Sequence, residues 1–465
     1  MISRASDVRR RTRRVAIVGG GPGGLLTAFL AERSAVAPES ITIYEASPRL
    51  GGKVLTESFA AAPVSYEAGA AELYDYSVID DDPLRDLVAA LGLATVPMEG
   101  SAVFVADDPL ANLDDVRDRL GSDALAALSA FDTAARNGMS RREFYAADTT
   151  DAADPVASRR FDSLLDGIRV PAARRYVETM IHSDLATEPD RTRGGYGLQN
   201  YLMNDPAYMR LYCIAGGNGR LIDALAARTS ARIRLGESVA AIDRGWDGKL
   251  RVVSGRAGLP QAEDYDCVVL ALPLDQLRRV GSSDDAIAAA LRGHCGRHDH
   301  PAHYLRVSVL FERPFWRHVL QDSFVMLDRF EGCCLYDESS REPEPTHGVL
   351  GWLLGGRAAE KMAALPDEEI VAQVLDALPP GLEDAVRHVI EARVHRWTAA
   401  VSALPGGWPP RPVDERHRPD PAAHPHLFVV GDYLFDSTIN GVLDSATHVA
   451  GWLAALAADE MEEPS

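Results

Sequence analysis

The chain has 465 residues, 46% hydrophobic and 25% charged, the ordinary mix of a soluble globular protein and enough for two or three domains of roughly 100–200 residues. Disordered, collagen-like and disulfide-scaffold classes are excluded: the five cysteines include adjacent Cys333 and Cys334, which suits a reducing cytoplasm. Forty-eight basic against 68 acidic side chains leave a charge of −20, a field that repels nucleic acid, and no apolar run reaches the roughly 18–20 residues of a membrane span. Among the basic residues only Lys53, Lys249 and Lys361 are lysine, a bias that suggests a GC-rich bacterial genome.

Residues 1–12 read as a solvated basic tail. Arg9-Arg10-Arg11 and Arg13-Arg14 mimic an export signal, but Gly19 to Gly24, interrupted only by Pro22, and a helical pattern with Glu32 and Arg33 follow. Val15-Ala16-Ile17-Val18 predicts a buried parallel strand. Gly19, Gly21 and Gly24 then match G-x-G-x-x-G, Leu25 to Arg33 reads as a helix, and Ile41 to Tyr44 reads as a second strand ending at Glu45. Gly19 permits the tight turn, Gly21 lets backbone approach a pyrophosphate, and Gly24 lets helix and strand pack closely. The helix N-terminus offers unpaired N–H groups to phosphate, and Glu45 would accept hydrogen bonds from ribose hydroxyls. Strand, glycines, helix, strand and acid in that order predict a dinucleotide site on an α/β, Rossmann-like domain.

Glu45-Ala46-Ser47-Pro48-Arg49-Leu50-Gly51-Gly52-Lys53 resembles the E-x-x-x-R-x-G-G-[RK] continuation of the FAD-binding amine oxidase superfamily. That superfamily includes monoamine, polyamine and L-amino-acid oxidases, protoporphyrinogen oxidase and phytoene desaturases. Other segments are similar to it in order: Glu67 to Glu72, Ala215 to Leu221, the stretch around Val239, Asp266 to Pro273, Phe311 to Trp316, Leu427 to Asp432 and Asn440 to Ala446.

The resemblance implies a discontinuous FAD-binding domain (13–105, 215–290 and 420–465) and a substrate domain of mixed β-sheet plus helices. The latter takes 106–214, mostly helical, and 291–419. It assigns the cofactor to Gly19, Gly21, Gly23, Gly24, Glu45, Ala46, Arg49, Gly52, Lys53, Gly69, Ala70, Val239, Gly431, Asp432, Asn440, Gly441 and Val442. No cysteine lies near Trp408, so FAD is expected to be noncovalent.

Two departures from the family pattern mark candidate catalytic residues. The position usually held by a lysine near the flavin falls on Arg306, whose planar fork suits a substrate carbonyl or carboxylate. Glu72 stands where family members often carry an apolar, aromatic or neutral polar residue, and a carboxylate there could recognise an ammonium or take its proton. Trp408 and Thr438 fall on the two walls that form an aromatic cage in simple amine oxidases, so only half a cage is expected. Tyr196, Tyr201 and Tyr212 are candidates for lining the pocket, with Tyr196 foremost. His294 to His303 is dense in ligand types but matches no zinc template; it reads as a surface linker, and no metal is expected. The acidic run Tyr74 to Asp82 reads as a solvated face.

The expected reaction removes hydride from the carbon alpha to an amine or amide nitrogen, giving an imine or iminium while O2 becomes H2O2. A specialised natural-product or amino-acid-like substrate fits the two departures. The rivals are a C–C desaturase of the phytoene or protoporphyrinogen type and a non-redox isomerase or cyclase. No nucleic-acid or membrane partner is expected, and a homodimer is compatible with the sequence.

Overall fold

Val15–Val18 is buried along its whole length, as a β-branched strand is when helices cover both faces of a parallel sheet. In the computed structural model, which describes residues 13–34, 36–37, 40–100, 102–146, 159–256, 258–409 and 411–462, it is the centre of a five-stranded sheet. The tail 1–12 and residues 463–465 lie outside the described residues. The strand order is Arg232–Leu235, Ile41–Glu45, Val15–Val18, Cys267–Leu270, Leu427–Val429, and every pairing is parallel.

The helix Pro22–Arg33 starts with proline in its first turn, where a missing N–H costs nothing. It packs against the closing helix Ile439–Glu462. Leu25, Leu26 and Phe29 meet Val442, Ala446 and Val449 there, over Ile17 and Ile43. The chain leaves this unit and returns twice, so the Rossmann-like part is discontinuous.

The second unit is a seven-stranded sheet in the order Val389–Ser402, Pro301–Phe311, Gly348–Gly355, Cys333–Asp337, Phe324–Leu327, Val103–Val105, Asp108–Leu110. Its pairings are antiparallel except Phe324–Leu327 with Val103–Val105. Val103–Val105 therefore belongs to this sheet, although its sequence position suggested the end of the first cofactor segment. Side chains alternate along Pro301–Phe311. Leu305, Val307, Val309 and Phe311 enter an apolar core with Trp316 and Trp352, which leaves Tyr304, Arg306 and Ser308 on the opposite face. Helices between Leu113 and Leu202 build a further core with Met326, Cys334 and Tyr336.

Candidate active site

A cavity of about 660 Å³ runs from the glycine turn to the face of the larger sheet that carries Tyr304. At the first end Gly19 has φ +113°, and a Cβ there would lie 2.3 Å from the Ala271 carbonyl oxygen; only glycine fits. A Cβ on Gly24 would lie 1.9 Å from the Gly19 oxygen, so helix and strand meet through it. Gly24 does not line the cavity. Gly21 does, and a Cβ there would have Gly52 Cα, at 3.9 Å, as its nearest neighbour. The turn thus keeps an open cradle beside bare backbone, which is what a pyrophosphate requires.

Gly23, Ala46, Gly52, Gly69, Ala70, Val239, Gly431 and Val442 also line the cavity, as do Glu45, Lys53 and Asp432. Glu45 is fixed by two backbone donors: Gly20 N–H donates to Oε2 and Ser47 N–H to Oε1, both at 2.8 Å. Lys53 Nζ pairs with Asp432 Oδ2 at 2.9 Å and donates to the Ala400 carbonyl. Arg49 lies off the cavity, donating to the Leu50 and Gly52 carbonyls at 3.1 Å, where it braces the turn. Asn440 and Gly441 also face away from it. Asn440 Nδ2 lies 3.5 Å from Asp82 Oδ1, and a Cβ on Gly441 would meet Asp436.

The opposite end is lined by Glu72, Tyr74, Tyr304, Leu353, Trp397 and Thr438. Tyr304 and Trp397 sit opposite each other on neighbouring strands, and the indole N–H donates to the Ala68 carbonyl at 2.7 Å. Beside them is a buried ionic group. Glu67 accepts from Asn218 N–H at 2.8 Å, Thr56 Oγ1 at 2.9 Å and Arg341 Nη1 at 3.2 Å. Glu338 accepts from Glu67 N–H at 2.8 Å and from Arg306, which also donates to the Glu67 carbonyl. Two arginines and two glutamates balance within this group. Glu72 and neighbouring Asp184 are carboxyls outside this balanced group.

Burial pushes the Glu72 carboxyl up against the pull of Tyr336, Arg306 and Arg341, and its Oε2 is buried without a hydrogen-bond partner. Burial, with Glu72 nearby, raises Asp184 to about 8 despite a hydrogen bond from Asn204. Glu72 lines the cavity while Asp184 lies off its lining, so Glu72 is the carboxyl placed to meet a cation there.

Several expectations need correction. Arg306 presents no open fork to a substrate: it is fully buried, ion-paired with Glu338 and stacked 4.9 Å over the Tyr336 ring, off the cavity lining. Trp408 is 48% exposed, because Gly406 and Gly407 turn the chain out to the end of helix Asp285–Arg297, where Trp408 N–H donates to the Arg297 carbonyl. Thr438 lines the cavity as one wall, and Trp397 supplies the aromatic ring. Tyr196 packs in the helical core, Tyr201 donates to Asp132 at 3.3 Å, and neither they nor Tyr212 line the cavity.

The stretch His294 to His303 is no exposed linker. His294 and His298 are buried against Tyr433, and burial drives His298 down to about 3. In the acidic run, Tyr74 lines the cavity and Asp82 caps helix Pro83–Ala90, while Asp80 and Asp81 are exposed. Sequence reasoning missed Tyr304, Trp397 and Asp184. Period-two counting from Arg306 reaches Tyr304, but nothing local marks the other two.

The sequence model of flavin-containing amine oxidoreductases matches residues 31–453. The chain belongs to this family. As a family member it is an FAD-dependent oxidoreductase, and the open cradle at Gly21 with the Glu45 and Lys53 positions fits that cofactor. The chain is 25% identical to a flavin-dependent L-tryptophan oxidase from Lentzea aerocolonigenes, covering 94% of this chain and 97% of that one. Cyclohexylamine oxidase from Brevibacterium oxydans superposes with a TM-score of 0.72 at 19% identity, covering 97% of this chain and 100% of that one. Putrescine oxidase bound to putrescine gives 0.67 at 17% identity, over 95% and 99%. No helix among the described residues is long and apolar enough to cross a membrane.

Proposed function

We propose that this flavoprotein oxidises a cationic amine at the carbon alpha to nitrogen, giving an imine, with O2 reduced to H2O2. The observation that carries the reading is Glu72, a carboxyl that lines the cavity at the end opposite the glycine turn and stands under the field of Asp184 behind it. FAD, when bound, takes the hydride and passes two electrons to O2.

Glu72, on the cavity lining, is positioned to hold the substrate ammonium and to take its proton, since hydride leaves only from the neutral amine. Tyr304 and Trp397 flank the same end and exclude water. Arg306 acts as a positioning residue: through Glu338 and the Glu67 carbonyl it holds the segment that ends in Glu72. The backbone at Gly21 and Gly23 is assigned to the pyrophosphate and Glu45 to the ribose. Among the described residues neither cysteine nor histidine lines the cavity, which supports noncovalent FAD.

The idea of a carboxylate-bearing substrate rested on a free Arg306. With that guanidinium closed by Glu338, the cationic side chains among the described lining residues are Lys53, paired with Asp432, and Arg279. Arg279 belongs with Gln276, Val280 and Val239 at the far end. An α-amino acid would thus meet Glu72 at an end where, among the described lining residues, no cation receives its own carboxylate. Peroxide release scored across amines, amides and amino acids tests the proposal. Release with amines supports it; flavin bleached only by polyenes or porphyrinogens would move the enzyme to the desaturases.

A further inference from the structure

Away from the cavity, three side chains from separate parts of the chain converge. His182 lies in the last turn of helix Pro171–Leu185, Glu188 follows that helix, and Glu331 sits in the turn between strands Phe324–Leu327 and Cys333–Asp337. One ligand atom from each lies within 4.8 Å of the others. His182 Nε2 is 3.7 Å from Glu188 Oε1 and 3.9 Å from Glu331 Oε2.

We propose that His182, Glu188 and Glu331 form a binding site for a divalent transition-metal ion, with zinc as the probe. Three observations carry it. His182 Nδ1 is 3.0 Å from the Gly332 carbonyl, a bond that requires Nδ1–H, so in the neutral imidazole the lone pair falls on Nε2, which faces the glutamates. That is how metal-binding imidazoles are oriented. Second, His182 Nε2 and Glu188 Oε2 are buried without hydrogen-bond partners, on side chains only 5% and 4% exposed. Orphaned buried acceptors are costly, and one imidazole with two carboxylates is a ligand set zinc accepts.

Third, the turn is built to deliver its ligand. Phe330, Glu331 and Gly332 all have positive φ, at 56°, 66° and 120°. This strained run holds the Gly332 carbonyl on the imidazole and Glu331 above it. Zinc bonds of about 2.0–2.2 Å need ligand atoms somewhat closer together than these. Glu331, 41% exposed, can supply the movement.

Arg357 is the competitor. Its Nε stands 3.5 Å from Glu188 Oε1 and 3.9 Å from Glu331 Oε2, on a side chain 52% exposed, and Lys361 Nζ is 4.0 Å from Glu331 Oε1. A bound ion would displace Arg357 into solvent. It would also clip the sheet turn to the helix that carries Asp184, two residues beyond His182.

The test is zinc titration of chelator-treated holoenzyme by calorimetry, with melting temperature as a second readout. One zinc per chain is expected, with a rise in melting temperature. His182→Asn and Glu331→Gln should each weaken binding by about tenfold or more. Arg357→Gln should tighten it, because the competing cation is gone. No zinc uptake, or equal uptake by parent, Glu331→Gln and Arg357→Gln, would overturn the site and leave a plain ion-pair cluster. Glu331 is exposed, so its variant folds even where the histidine variant does not.

Discussion

Glu72 is the residue on which the proposed chemistry turns. Its carboxyl is held above the ordinary range by burial, so it remains protonated after free carboxylates have ionised. Binding an ammonium needs it charged. The kcat/KM for an amine should therefore climb with pH through that raised value, and Glu72→Gln should remove the step. The lost charge-assisted hydrogen bond of about 1.5–3 kcal/mol corresponds to roughly 10–100-fold in kcat/KM.

Asp184 affects stability with the opposite sign from a salt-bridged acid. It holds its proton to about pH 8 when folded but releases it near 3.8 when unfolded. Between those values the unfolded chain binds fewer protons, so stability falls as pH rises, levelling off above about 8. Asp184→Asn mimics the protonated form, and denaturant melts across that window should show a flatter decline. Arg306 is different again. Arg306→Met would strand Glu338 in the interior at a cost of about 3–5 kcal/mol. Arg306→Met with Glu338→Met should recover much of it, measured by urea unfolding.

The elements show which parts of this protein are written locally. Val15–Val18, the glycine turn, its helix and Glu45 are contiguous, and each is dictated by a period or a steric need within a few residues. That is why the dinucleotide-type fold was legible. The substrate end of the cavity was not. Glu338 neutralises Arg306 from 32 residues away and Trp397 reaches Ala68 across 329, and no local pattern encodes such meetings. Trp408 was misplaced because two positive-φ glycines turn the chain before it.

The glycines themselves separate folding from binding. Gly24→Ala would drive a methyl into the Gly19 carbonyl and should lower the melting temperature of apoprotein and holoenzyme alike. Gly21→Val projects into open cavity instead. Its apoprotein should melt like the parent's while FAD uptake, followed by flavin fluorescence, is lost.

For the molecule as a whole, a net charge of −20 attracts the proposed cationic substrate over distances salt can screen. The kcat/KM for an amine should fall as ionic strength rises, and that for a neutral substrate should not. Because cysteine and histidine are missing from the cavity lining among the described residues, acid precipitation should release all the yellow colour into solution.

Amines and α-amino acids are the two substrate classes that the proposed role of Glu72 tells apart. Anaerobic mixing of holoenzyme with matched pairs, putrescine against ornithine and tryptamine against L-tryptophan, separates them by one carboxylate. A cavity end governed by Glu72 requires the amine of a pair to bleach the flavin band faster. Faster bleaching by the carboxylated partner would contradict the assignment of Glu72 to a cation.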